Sequence, residues 1–458
     1  MAPSVPVMRE FRTKATEDGV LHLIFDMPGR SMNVFSNAAI HEIEVFAHWL
    51  SSSDVRGVVV RSGKASAFCA GADLSELGLA YDTIVSVPPE DRKRVAREHF
   101  APIGHAFRKL ETAGKPVAAA VEGLALGGGC EFALGCHHRV LADTPQTALG
   151  LPEVLVGLFP GGGGTQRLPR LIGLERSLPI LLDGTRLAAA EALATGAAHQ
   201  VVPAGKAVAA AERWVLGNPQ PVQPWDRSDW RDPTSADISA RLGPVRERVL
   251  TDTDGHYPAP LAILDCLERG FAVPMDEALA IEIDIFTDLI RRREPRNMIQ
   301  TLFLAKQDYD KRRKARDLPA FLDNISRSAN KALAGEIARH SVADVVEALR
   351  FAGFTKPPAG VKADLKKAST HAAKTSRDLS REGMWFEAPQ TPTELVAAKL
   401  LAAVAKGVSA VGASLSGSDR QLADYIVVRD VGFPSYAGGP FAVVKQLGDA
   451  RLRCILNA

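Results

Sequence analysis

The stretch VEGLALGGGCEFALGCHHRVLADTPQTALGLPEVLVGLFPGGGGTQRLPR, residues 121–170, holds two glycine-rich turns and two glutamates in apolar surroundings. Gly127-Gly128-Gly129 runs directly into a helical pattern of Cys130, Phe132, Ala133 and Leu134. The first N–H groups of a helix have no intrahelical acceptor, so they can receive an anion or a developing oxyanion. Glu131 and Glu153 lie where a carboxylate is costly unless it is paired or used. Donors for negative charge beside two acid/base candidates outline a reaction centre.

Working outward, Lys115–Val121 (KPVAAAV) reads as a buried strand that ends at this motif, and Arg56–Arg61 (RGVVVR) as another. Residues 18–26 (DGVLHLIFD) form a third. A helix is expected from Ser36, capped by Ser36 or Asn37, with Ile40, Ile43, Phe46, Ala47 and Leu50 at steps of three and four. Residues 76–113 read as helical apart from the Pro88-Pro89 break. Strand, helix and loop alternate to about Pro203, which predicts an α/β architecture.

Beyond Pro203 the character changes. Residues 216–260 are irregular in composition and read as a connecting segment. Helical periodicity returns over 261–308, through Leu261, Ile263, Leu264 and Leu267 and then Ala278, Ile281, Ile285 and Leu289. Asp308–Asp317 (DYDKRRKARD) reads as a solvated helix end or linker, and everything after Pro319 as helix. One helical pattern spans Phe321–Leu349 and another Pro392–Val411, joined by a Lys- and Ala-rich middle at 361–375.

Composition bounds the function. The 458 residues suffice for two or three domains, with 46% apolar and 24% charged residues. A net charge of +2 and 6% aromatic residues argue against a nucleic-acid partner, and the charge also against a membrane surface. Five scattered cysteines, Cys69, Cys130, Cys136, Cys266 and Cys454, contain no CxxC pair, so neither a disulfide framework nor a zinc site is expected. Cys136-His137-His138 invites a metal reading, but adjacent histidines point different ways and no carboxylate partner is evident. No window approaches the roughly 18 apolar residues of a membrane span, and the N-terminus has no apolar secretory run. A reducing cytoplasm is the expected location.

Three motifs together carry a resemblance: Ser66–Asp73 (SAFCAGAD), Gly123–Glu131 (GLALGGGCE), and Leu151-Pro152-Glu153 followed by Pro160–Arg170 (PGGGGTQRLPR). In this order and spacing the first 205 residues or so resemble the enoyl-CoA hydratase/isomerase (crotonase) family. Tyr257–Pro260 (YPAP) and Glu294–Ile299 (EPRNMI) resemble the helical linker of the multifunctional alpha-subunit family of fatty-acid oxidation complexes. Asp430–Pro434 (DVGFP) and Gly438–Phe441 (GGPF) resemble the end of the 3-hydroxyacyl-CoA dehydrogenase region there. Between Ile299 and Ala320, where that resemblance calls for a nucleotide-binding domain, this chain has about twenty residues with a dense run of charge and no GxGxxG turn.

The resemblance implies an α/β, crotonase-like spiral of ββα units followed by an all-α C-terminal region. It divides the chain into a hydratase domain at 1–205, a connecting segment with linker helices at 206–318, and a helical dehydrogenase remnant at 319–458. It implies acyl-CoA as substrate, no NAD or other cofactor, and a homo-oligomer or a thiolase or dehydrogenase partner. It assigns an oxyanion hole to the N–H groups of Ala72 and Gly128, and the substrate entrance to Ala70, Gly71 and Asp73. Glu131 orients and deprotonates water while Glu153 protonates the α-carbon. On residue type alone, Asp73 is equally a cap, Glu153 a helix N-terminal charge, and the glycines an ordinary turn. Arg167 and Arg170 read first as structural ion-pairing residues. The expected activity is enoyl-CoA hydration, against enoyl-CoA isomerisation or a non-catalytic assembly subunit.

Overall fold

A computed structural model of the chain describes residues 4–229, 237–356, 361 and 384–458. They divide into two compact units, Met1–Pro244 with Ala259–Asp288, and Val245–Pro258 with Leu289–Ala458.

The first unit is built on two sheets. The larger has six strands: β1 (Phe11–Ala15), β2 (Val20–Phe25), β3 (Gly57–Ser62), β5 (Val117–Val121), β7 (His138–Asp143) and β10 (Gln200–Pro203), in that spatial order. Only the β1–β2 pair is antiparallel. The smaller sheet holds β4 (Ala67–Cys69), β6 (Leu124–Leu126), β8 (Ala148–Gly150) and β9 (Arg186–Ala188). The chain visits the sheets alternately: β3 then β4, β5 then β6, β7 then β8. Each visit ends in a helical segment, so the ββα repeat that the family resemblance implies is the observed architecture. β5 is apolar at all five positions and every one is buried, as a parallel strand covered on both faces requires.

The helices of this unit are α1 (Asn37–Ser51), α2 (Leu74–Ser86), α3 (Pro89–Glu111), α4 (Gly128–Gly135), α5 (Gly164–Ile172), α6 (Leu174–Asp183), α7 (Ala189–Thr195) and α8 (Ala207–Leu216). Ser36 caps α1 by accepting the Ala39 N–H at 3.2 Å. The face of α8 that carries Ala207, Ala210, Ala211 and Val215 packs on Val20, Val59, Ala118, Ala120 and Val140 of the large sheet. Phe11 and Phe25 on the first two strands join an aromatic cluster with Phe35, Phe107 of α3 and Phe132 of α4.

The expected domain boundaries at 205 and 318 fall elsewhere. Pro203 closes the last strand, not the unit, because α8 must still cover the sheet. Of the supposed connecting segment, residues 216–260 contain α9 (Ile238–Thr253), whose Pro244 disguised it as irregular. α10 (Pro258–Gly270) and α11 (Met275–Ile290) then supply residues 259–288 to the first unit. Residues 245–258 go with the second unit, where Arg350 holds Asp254 at 2.9 Å.

The second unit is helical. α12 (Arg293–Met298) continues through a π-helical stretch, Ile299–Ala305, into α13 (Lys306–Ala315), so the charged run is a helix end as expected. The pattern expected over Phe321–Leu349 is two helices, α14 (Phe321–Ile337) and α15 (Val342–Ala352), because Ser341 caps the second through the Asp344 N–H. α16 (Pro392–Val411), α17 (Gly417–Val431) and α18 (Pro440–Asn457) complete it. Leu400, Leu401, Val404 and Val408 of α16 are buried in its core. The Lys- and Ala-rich middle lies, apart from Val361, outside the described residues. Tyr436 is pinned by its hydroxyl, which donates to the Ala352 carbonyl at 3.0 Å and accepts from Trp385 Nε1 at 3.1 Å.

Replacing Tyr436 by Phe leaves the buried Trp385 N–H without that acceptor. The expected loss is about 1–3 kcal/mol of stability in chemical denaturation of the second unit's transition.

Candidate active site

β4 and β6 pair in parallel, Ala67 with Leu124 and Cys69 with Ala125, so the loops that leave their C-terminal ends lie side by side. A Cβ on Gly71 would lie 3.2 Å from the Leu126 carbonyl oxygen and 3.8 Å from the Gly128 nitrogen. Phe35 bridges to Ala72 by donating to the Gly71 carbonyl and accepting from the Asp73 N–H. In a parallel bridge the two flanking residues make these bonds, so the N–H of the middle residue, Ala72, faces the other way. Gly128 is the first residue of α4 and its N–H has no intrahelical acceptor. Neither N–H has a protein acceptor among the described residues. The two donors assigned from sequence are thus brought together by adjacent strand ends.

β8 pairs with β6 on its other side, Leu126 opposite Gly150, and the chain then enters a single 3-10 turn, Pro152–Val156. This turn brings Glu153 over Gly127, where a Cβ would lie 2.8 Å from Glu153 Oε1. Gly127 has φ +53°, so both its backbone and the carboxylate above it require glycine. Glu153 is half-buried as a residue, yet its Oε2 is sealed from solvent and has no protein partner. Burial, then the charges of Glu131 and Glu282, hold its carboxyl well above the usual carboxylate range.

Glu131 is the counterpart. It is 2% exposed, and its Oε1 accepts the N–H of Gly162 at 2.7 Å and of Gly164 at 2.8 Å. Burial pushes its pKa up to about 7, against the two N–H donors and Arg167, which favour the ionised form. The two carboxyls therefore stand in different environments. One has donors that stabilise its charge, and the other has a bare oxygen that does not. Carboxyls in unlike environments are the arrangement that general acid–base chemistry uses.

Other predicted residues have different tasks. Asp73 caps α2 by accepting the Ser75 N–H at 3.0 Å and pairs with Arg30 at 2.7 Å, so its carboxylate is engaged by protein donors, as its cap reading has it. Ala70 and Gly71 line the loop through their backbone. Arg167 is fully buried in a two-pronged pair with Glu111, at 3.1 and 2.9 Å. Arg170 donates to Gln166 and to the Gly270 carbonyl and lies 4.8 Å over the Phe271 ring. Both arginines are structural. His137 Nδ1 accepts the Val117 N–H, and His138 stacks with His199 and Trp214. Four of the five cysteines are buried, and Cys454 is exposed.

One acidic residue escaped the sequence reading. Glu282 of α11 is 1% exposed and accepts the Gly163 N–H at 2.7 Å, the Thr165 N–H at 3.2 Å and the Thr165 hydroxyl. Burial and then the charge of Glu131 push it up to about 8. The signal was an acid in an otherwise apolar helical face with Leu279 and Phe286.

Residues 15–224 match the family model described as enoyl-CoA hydratase/isomerase, and the chain thus carries a domain of that family, the crotonases. It is 36% identical over 308 residues to the fatty acid oxidation complex subunit alpha of Shewanella baltica, a match that covers 66% of this chain and 42% of that protein. The chain therefore spans less than half the length of that curated relative. Among solved structures it is similar to Pseudomonas aeruginosa DspI, with 27% identity, a TM-score of 0.42, and coverage of 55% of this chain and 98% of that one. It is also similar to the enoyl-CoA hydratase of Bacillus anthracis, with 24% identity, a TM-score of 0.38, and coverage of 64% and 96%. Among the described residues no helix is long and apolar enough to cross a membrane.

Arg167→Ala is expected to lower stability by about 1–3 kcal/mol, because it removes two charged hydrogen bonds from the buried Glu111 and, among the described residues, leaves it only Arg108, at 3.0 Å. Thermal or denaturant unfolding reads this directly. An unchanged midpoint contradicts the structural role.

Proposed function

We propose that the first unit is an enoyl-CoA hydratase that adds water to a trans-2-enoyl-CoA and yields a 3-hydroxyacyl-CoA. The observation that carries this reading is the pairing of the buried Glu131 with Glu153, whose Oε2 is sealed from solvent, next to the Ala72 and Gly128 donors. Hydration builds an enolate whose thioester oxygen becomes negative. Two fixed N–H groups stabilise it, and loss of one such donor typically costs about 3 kcal/mol. Glu131, ionised by its two N–H donors, takes a proton from the attacking water as its oxygen bonds to C3. Glu153, held protonated by burial and by its charged neighbours, delivers its proton to C2 as the enolate collapses. The adduct is neutral, and each carboxyl ends in the other's starting state.

Double-bond isomerisation needs one carboxylate to shuttle a proton, so the presence of both favours hydration over the isomerase reading. The relative's printed name supports a place in fatty-acid oxidation. We read the helical unit as a remnant that resembles a dehydrogenase C-terminus and brings no nucleotide turn, and the chain as a soluble partner in a larger assembly. Ala70 and Gly71 are assigned to the substrate entrance through their backbone.

Glu131→Gln and Glu153→Gln are each expected to slow loss of the crotonyl-CoA conjugated-thioester absorbance by on the order of 100- to 10,000-fold. A Glu131→Gln variant of full activity sinks the assignment. The wild-type rate is expected to fall as pH drops below about 7, since Glu131 must be ionised and is raised to that value. Glu153, Glu282 and Arg167 are the ionisable groups around it that set the limb. 3-Hydroxyacyl-CoA with NAD is expected to give no NADH.

A further inference from the structure

Four successive backbone N–H groups at the second glycine turn alternate between two carboxylates. Gly162 and Gly164 donate to Glu131 Oε1, while Gly163 and Thr165 donate to Glu282. Gly163 is left-handed at φ +102° and Gly164 opens α5, and across this turn into the helix successive N–H groups go alternately to the two carboxylates, so fixing one set constrains the other. Glu282 takes both of its own set and the Thr165 hydroxyl besides. That hydroxyl also accepts from Gln166 Nε2 at 3.0 Å, and the same amide donates to the Cys266 carbonyl of α10 at 3.1 Å.

Glu282 is one of three residues of α11 that press on this turn. A Cβ on Gly161 would lie 2.9 Å from the Phe286 ring, and one on Gly163 would lie 2.9 Å from Leu279 Cδ2. These three residues recur at steps of three, four and seven, the spacing of a single helix face. The helix is itself tied to α3 by Lys93, which pairs with Asp284 at 2.8 Å and Asp288 at 3.2 Å, and by Arg108 with Asp276 at 2.6 Å. All of these α11 residues lie outside the span 15–224 that the family model matches. A carboxylate with three donors in a dry site has little freedom, and it transmits that constraint to the loop that orients Glu131.

We infer that Glu282, on α11, is a positioning residue for the hydration reaction. It holds the 162–165 backbone so that Gly162 and Gly164 keep Oε1 of Glu131 and leave its Oε2 for the water. This rests on the hydratase reading. It also makes α11 a working part of the catalytic unit, not a connector. Glu282 touches no reacting atom in this scheme, so its loss should slow the chemical step and leave thioester binding by Ala72 and Gly128 intact. A shift of about 1 Å in a catalytic group can cost on the order of 100-fold in rate.

The test uses the full chain with Glu282→Gln, Glu282→Asp and Thr165→Val, and Glu131→Gln as the control. Glu282→Gln sets an amide NH₂ against a backbone donor. It is expected to lower kcat for crotonyl-CoA by about 10- to 100-fold, with KM and the Kd for acetoacetyl-CoA both within about threefold of wild type. Glu282→Asp restores part of the lost kcat, and Thr165→Val, which keeps the backbone and deletes one donor, lowers it by about three- to tenfold. If Glu282→Gln does not fold, Thr165→Val carries the test, and an unchanged kcat there overturns the inference. Loss of acetoacetyl-CoA binding in proportion to kcat also overturns it, since that marks a general collapse. A wild-type chain with no hydratase activity overturns the hydratase reading and this inference with it. An active wild type with a dead Glu131→Gln variant and an unslowed Glu282→Gln variant overturns this inference alone.

Discussion

Two N–H groups, those of Gly162 and Gly164, converge on a single oxygen of Glu131. A carboxylate buried this far costs several kcal/mol unless donors meet its charge, and no side chain could approach as closely as a bare glycine backbone. That requirement shapes the chain around it. The loop must be glycine, α5 must start where the loop ends, and Arg167 must turn to Glu111 instead of solvent. Both backbone donors bond Oε1 of Glu131 and leave outside that pair Oε2, the oxygen the proposed hydration would use.

The small sheet is the second constraint. Its strands β4, β6 and β8 are three residues long and contribute little core. Their role is alignment: three parallel neighbours deliver the Ala72 loop, the Gly128 helix start and the Glu153 turn to one edge. The large sheet and its helices bury the apolar residues that stabilise this edge. Packing and site geometry are thus divided between the two sheets, to each of which a ββα repeat adds a strand. The unsatisfied Oε2 of Glu153 is the local cost, offset by the packed sheet behind it.

Much of this was legible in residues alone. β3 and β5 read as strands because runs such as Val58–Val60 and Val117–Val121 are apolar throughout, and Ser36 announced its cap. The short strands have no periodicity to read; only the motifs that follow them, AGAD, GGGCE and LPE, marked their ends. Arg167 and Arg170 were legible as structural residues from type alone, whereas Asp73 reads equally as cap and as entrance residue, and the structure gives each a named partner. Glu282 was not legible, because its partners lie up to 119 residues away in sequence. It sits in the run ALAIEIDIF, where one acid reads as the edge of an apolar face. The extent of the first compact unit is hidden for a related reason: Pro203 ends the last strand, and a composition change there does not reveal that α10 and α11 return to the same unit.

The most direct measurement of the central claim is a structure of the chain bound to acetoacetyl-CoA. The expected result has the thioester oxygen accepting from both the Ala72 and Gly128 N–H groups at about 2.7–3.1 Å. Glu131 Oε1 should still lie on Gly162 and Gly164, and both free carboxyl oxygens should flank the acyl carbons. A thioester oxygen away from either donor, or a Glu131 carboxylate swung off the glycine turn, contradicts the account.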